Sequence, residues 1–132
     1  MRKIWIISIL CVLIFTNAQA QTKTEISLNS GWKFREVNKD EWLSATVPGC
    51  VHTDLLANKK IEDPFYRDNE RNQQWIGKTD WEYQTVFRIS AETLKRQNIE
   101  IVFQGLDTYA NVFLNDKEIL SANNMFRMWR VD

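Results

Sequence analysis

The chemistry-bearing residues of this chain concentrate between Pro48 and Trp81. The single histidine, His52, lies there, two residues before Asp54. Beyond them a run of planar polar and charged side chains, Asp68, Asn69, Glu70, Arg71, Asn72, Gln73 and Gln74, is framed by Pro64, Phe65, Tyr66, Trp75 and Trp81. Aromatic faces mixed with amide and carboxylate groups suit sugars, whose rings offer apolar C–H faces and hydroxyl groups together. The run has no clean period of two or of 3.6, and a loop of that length inside a domain is usually functional. Each aromatic taken singly is more often packing than platform.

Other chemistries are poorly served. A Ser-His-Asp arrangement is unconvincing, because His52 and Asp54 sit at a helix start and no serine occupies an elbow motif. His52 reads as a capping or loop-packing residue. Glycoside hydrolysis needs two carboxyl groups about 5 Å apart in retaining enzymes. The chain holds 17 acidic residues, yet none sits in a motif for a catalytic acid or nucleophile. No catalytic residue is assigned. One histidine and two cysteines, Cys11 and Cys50, make no metal-ligand cluster, so neither a metal nor another cofactor is expected.

The elements that must hold this stretch are mostly short strands. Ile26 to Val37 alternates across a kink at Ser30-Gly31, and Trp42 to Val47 makes another short strand ended by Pro48. Val51 to Asn58 reads as a short helix with Val51, Leu55 and Leu56 on one face. Asp80 to Ile89 alternates most clearly, with Trp81, Tyr83, Thr85, Phe87 and Ile89 on one side. Ser90 is a candidate N-cap for a helical turn reaching Gln97. Ile99 to Gln104, Leu106 to Leu114, Lys117 to Ser121 and Phe126 to Val131 are further strands. Asn115-Asp116 is the two-residue turn of a β-hairpin. The fold class that follows is all-β, an antiparallel β-sandwich with one short helix and one long aromatic and polar loop.

The first twenty residues read as an export signal: Arg2 and Lys3, an apolar run from Ile4 to Phe15, then Ala18-Gln19-Ala20 as the small-x-small pattern before a cut. The run is short for a membrane span of about twenty residues. Cleavage after Ala20, delivery to the periplasm or exterior and no membrane attachment thereafter are the expectations. Formal net charge is zero over the whole chain, and losing Arg2 and Lys3 leaves a slight acidic excess. Nucleic acid is therefore not an implied partner. Cys50 is left without a partner for a disulfide, and its neighbour Val51 suggests a buried thiol acting as a small hydrophobe.

A family resemblance runs through the same residues. P-G-C-V-H-T-D-L-L from Pro48, I-E-D-P-F-Y-R-D-N-E from Ile61 and W-I-G-K-T-D-W-E-Y from Trp75 resemble the N-terminal sugar-binding domain of β-mannosidases in glycoside hydrolase family 2. L-N-S-G-W-K-F at Leu28 to Phe34, G-L-D-T-Y-A-N-V-F-L-N at Gly105 to Asn115 and N-M-F-R at Asn124 to Arg127 extend it, in the right order. The resemblance implies a galactose-binding-like jelly roll over residues 21–132, cut before its end. It implies a catalytic barrel elsewhere that supplies both catalytic glutamates, and a β-mannoside oligosaccharide or glycan as the partner of the whole enzyme. Asp68, Asn69, Glu70 and Trp75 are the residues that would border the sugar site. Their competing role is a domain–barrel interface. Asp107 and Asn111 fit turn and ladder hydrogen bonds. A stand-alone carbohydrate-binding module, or another family 2 glycosidase such as a β-galactosidase, is the alternative. Phe126 and Trp129 are the apolar strand residues expected to stand exposed.

Overall fold

The computed structural model describes residues 23–132, so the export signal expected at residues 1–20 lies outside the described residues. Among the described residues seven short strands form three antiparallel sheets. The first sheet has the order β2-β1-β3, with β1 at Lys33–Glu36, β2 at Leu43–Ser44 and β3 at Trp81–Gln84. The second pairs β4, Ile101–Phe103, with β7, Trp129–Val131. The third is the hairpin of β5, Ala110–Leu114, and β6, Lys117–Ala122, and β6 also touches β7. Among the described residues helix is confined to α1, Val51–Ala57, to α2, Asn69–Asn72, and to 3-10 turns.

The β5–β6 hairpin forms as its turn chemistry dictates. Asn115 and Asp116 both take positive φ, 50° and 63°, the pairing that a tight two-residue hairpin turn requires. The expected kink at Gly31 is also present, at φ 74°. Ser90 caps its turn, its Oγ accepting the Thr93 N–H at 3.1 Å.

The core gathers on the first sheet. Phe34, fully buried, meets Leu55 of α1 and Ile76, and Leu43, Ala45, Val51, Ile61, Trp81 and Tyr83 pack around them. Phe34 sits between two aromatic rings of β3, with centroids 5.8 Å from Trp81 and 5.5 Å from Tyr83. On the other face Arg35 and Glu82, directly opposite in the β1–β3 register, join at 2.8 Å. The Arg35 guanidinium also lies 4.5 Å from the Trp42 ring.

Several elements differ from the sequence expectation. Ile26 to Leu28 joins no strand ladder among the described residues, and Leu106 to Thr108 precedes β5 rather than opening it. The strand expected to reach Ile89 is paired only to Gln84. Beyond it Thr85, Phe87 and Ile89 stay half-buried while Val86 and Arg88 are exposed, so the alternation persists without a neighbouring strand among the described residues. Alternation reports which face is covered, and a ladder needs a second strand. On α1 the inward face is Val51, Asp54 and Leu55, and Leu56 is exposed. Cys50 is exposed rather than buried, its N–H donating to Thr53 Oγ1 at 3.3 Å. The long loop holds a second helix, α2, and a 3-10 turn at Ile76–Lys78. Phe126 is 90% exposed as expected but lies on a turn before β7. Trp129 is half-buried: its indole N–H donates to the Asn124 carbonyl at 3.2 Å and the Arg127 guanidinium covers its ring.

A recess around the Asp63–Lys78 loop

The loop is built on its own hydrogen bonds. Asp63 Oδ1 accepts the Phe65 N–H at 2.9 Å, and the Asp63 carbonyl accepts both Tyr66 N–H and the Asn69 side-chain amide. Such an aspartate-led turn is why a stretch with no hydrophobic period still holds one conformation. Arg67 takes φ 52° at the bend and lies over the Tyr66 ring. The turns of α2 and Ile76–Lys78 follow directly and lead into β3, tied by the Trp81 indole N–H to the Ile76 carbonyl at 3.0 Å.

This path encloses a shallow recess of about 270 Å³ lined by His52, Pro64, Glu70, Gln73, Gln74 and Gly77. Of the lining residues, Gln73 is only 8% exposed. The Gln73 amide N–H donates to the Glu62 carbonyl at 2.8 Å, which settles which end of the amide is nitrogen. Its Oε1 is buried and has no hydrogen-bond partner among the described residues. Gln74 donates to the Glu70 carbonyl at 3.2 Å. Four of the six lining residues, His52, Glu70, Gln73 and Gln74, carry polar side chains.

The residues expected at a sugar site divide. Glu70 lines the recess. Asn69 is half-buried, and its amide is committed to the Asp63 carbonyl. Asp68 is exposed, and its backbone carbonyl starts α2 by accepting the Arg71 N–H. Trp75 remains partly exposed and leans on Trp81, with centroids 6.0 Å apart. His52, read as a capping or packing residue, is exposed on α1 and lines the recess. Gln73 was not singled out in the sequence. Nothing in Gln73-Gln74 tells the two apart until packing buries one of them.

Beside the recess, α1 is pinned to the sheet by Asp54. Its carboxylate, 1% exposed, accepts the Thr46 N–H and the Tyr83 hydroxyl, each at 2.9 Å. Burial, then the Asp54 hydrogen bond and charge, hold the Tyr83 hydroxyl proton well above the ordinary tyrosine range. Asp107 and Asn111 take the roles read for them: Asp107 Oδ1 accepts the Thr108 N–H, and Asn111 Oδ1 accepts the Ser121 hydroxyl across the hairpin at 3.0 Å. Among the described residues no group of three or more His, Cys, Asp or Glu could hold a metal ion.

Residues 32–132 match the family described as the glycosyl hydrolase 2 galactose-binding domain-like family. The chain is 39% identical over 107 residues to the β-mannosidase of Bos taurus, aligning 81% of this chain with 12% of that protein. It is 42% identical over 113 residues to β-mannosidase B of Emericella nidulans, 83% of this chain and 13% of that one. The solved structure of the β-D-mannosidase from Dictyoglomus thermophilum superposes with a TM-score of 0.79 at 42% identity, over 80% of this chain and 13% of that chain. The chain therefore spans about an eighth of the length of the relatives it matches, and its antiparallel strands take the galactose-binding-like sandwich arrangement. With a family match running unbroken from Trp32 to Asp132, the chain belongs to the glycosyl hydrolase 2 galactose-binding domain-like family.

Proposed function

We propose that this chain is the N-terminal part of an exported β-mannosidase, a jelly-roll domain that flanks a catalytic barrel and supplies no catalytic carboxylate. The observation that carries this is the alignment: the named β-mannosidases match this chain over most of its length while extending far beyond it. Hydrolysis would then be the work of the larger part. The loop that holds Asp68, Asn69, Glu70 and Trp75 would border the glycan, with Asp68 and Glu70 exposed and Trp75 offering part of its face. Asn69 serves that loop chiefly by holding its shape.

The test is release of a chromogenic aglycone from an aryl β-mannoside. The purified chain is expected to release none, and the polypeptide of the complete reading frame is expected to turn over. Turnover by the chain alone, lost on changing one of its own carboxylates, would overturn the proposal. The recess with its polar lining supports a second reading, a stand-alone carbohydrate-binding module. A reading frame closing at Asp132, with saturable sugar binding by the chain, would put that reading first.

A further inference from the structure

We propose that Met125 is a site of reversible oxidation by peroxides, and that the sulfoxide formed there tightens the joint between the Thr108 segment and the turn before β7. The chain has three methionines, Met1, Met125 and Met128. Met125 and Met128 bracket Phe126 and Arg127 just before β7 and are 46% and 47% exposed. A thioether more often fills a gap in a core, where oxidants do not reach it. Met125 also carries a contact that ties two segments together. Its Sδ accepts the Thr108 hydroxyl at 3.5 Å, across 17 positions of sequence, and the contact stands at the surface.

The Thr108 hydroxyl has one proton and two acceptors, Met125 Sδ at 3.5 Å and Asp107 Oδ1 at 3.3 Å. Thioether sulfur is a weak acceptor, so the tie to Met125 is slight in the reduced protein. Oxidation changes the acceptor. A lone pair of Sδ attacks one oxygen of hydrogen peroxide and the O–O bond breaks. A proton passes to the departing oxygen, which leaves as water. Sulfur is oxidised and the peroxide reduced, with one oxygen atom changing hands. The sulfoxide is polar and presents an oxygen of its own. Rotation about the terminal bonds of this flexible side chain brings that oxygen to the Thr108 hydroxyl. Asp107 keeps the Thr108 N–H, so the exchange leaves its carboxylate paired. The turn is held meanwhile by Asn124, whose Oδ1 accepts the Phe126 N–H at 2.8 Å and whose carbonyl accepts the Trp129 indole N–H.

The experiment treats the chain in dilute solution with hydrogen peroxide, follows oxygen uptake by peptide mass mapping, and then measures amide hydrogen exchange. Met128→Leu is the parent, so that Met125 is the one thioether among the described residues. Met125 should react within about tenfold of the rate of free methionine, as an exposed thioether does. Exchange over residues 106–110 and 123–127 should slow by roughly two- to tenfold on oxidation, the factor that one neutral hydrogen bond supplies. Reductases acting on both sulfoxide epimers should restore the original exchange. Thr108→Val, at an exposed position, should leave the oxidation rate unchanged and abolish the slowing. A slower reaction at Met125, exchange that is unchanged or faster after oxidation, or equal slowing in Thr108→Val would each overturn the inference.

Discussion

Tyr83 of β3 and Asp54 of α1, 29 positions apart, meet through a hydrogen bond of 2.9 Å from the tyrosine hydroxyl to Asp54 Oδ2. The other carboxylate oxygen takes the Thr46 N–H, so one buried side chain ties the helix to β3 and to the segment after β2. Replacing it leaves two donors without an acceptor. Asp54→Ala is expected to destabilise the fold by about 2–3 kcal/mol and Tyr83→Phe by about 1–2 kcal/mol, as for hydrogen bonds to a charged group. Combined in a double-mutant cycle they should be less than additive, because each removes the same bond. Additive losses in denaturant titration would show that the pair does not couple.

The same pair sets an alkaline limit. The Tyr83 proton is held above its ordinary value near 10, first by burial and then by Asp54. The folded state keeps a proton that the unfolded chain gives up. The stabilisation is therefore complete below the unfolded value of about 10 and declines as pH rises above it. Thermal midpoints measured at successive alkaline pH should fall more steeply for the native protein than for Tyr83→Phe. Parallel curves would remove Tyr83 from the explanation.

Gly49 has no room for a methyl group. A Cβ at this position would stand 2.2 Å from the Thr46 carbonyl oxygen, a contact with backbone rather than with a side chain that could swing aside. Gly49→Ala should destabilise by about 2 kcal/mol, within the range for backbone-strain substitutions. Gly77 and Gly105, with open space at the same position, should accept alanine with a far smaller loss in the same denaturation assay.

The core predicts an uneven stability. Phe34, Leu55 and Ile76 are buried around the first sheet, whereas Val102 of β4 and Phe113 of β5 are exposed. Amide hydrogen exchange should be slowest at β1 and β3 and markedly faster along β4, β5 and β7, since local opening follows the density of buried contacts. Phe34→Ala should be among the most damaging single changes, at about 3–5 kcal/mol. Phe65→Ser, at a side chain 97% exposed, should move stability by less than about 0.5 kcal/mol. Uniform protection across the three sheets would contradict this division.

Exposed Tyr109, Phe113 and Phe126 also favour association. Sedimentation of the chain over a range of concentrations should show self-association that decreases when Phe126 is changed to serine. A strictly monomeric chain with one sharp thermal transition would show that these surfaces need no cover.

Whether a feature of this protein is legible in its sequence depends on whether it is local. Turn and cap chemistry acts within a few residues, so Asn115-Asp116, Gly31 and the Ser90 cap all appear where residue type puts them. The antiparallel class and the hairpin follow from period-two alternation, and the ordered blocks from Leu28 to Arg127 carried the family resemblance. Strand extent did not follow, because Ile26 to Leu28 and Thr85 to Ile89 have the pattern of strands but no ladder partner among the described residues. The inward face of α1 was misread at Leu56 because an aspartate outranks a leucine only when a distant tyrosine hydroxyl and a backbone N–H arrive to satisfy it. Gln73 is the sharpest case. Its neighbour Gln74 is chemically identical, and only the packing of the loop against Glu62 buries one amide, orients it, and leaves its oxygen without a partner among the described residues.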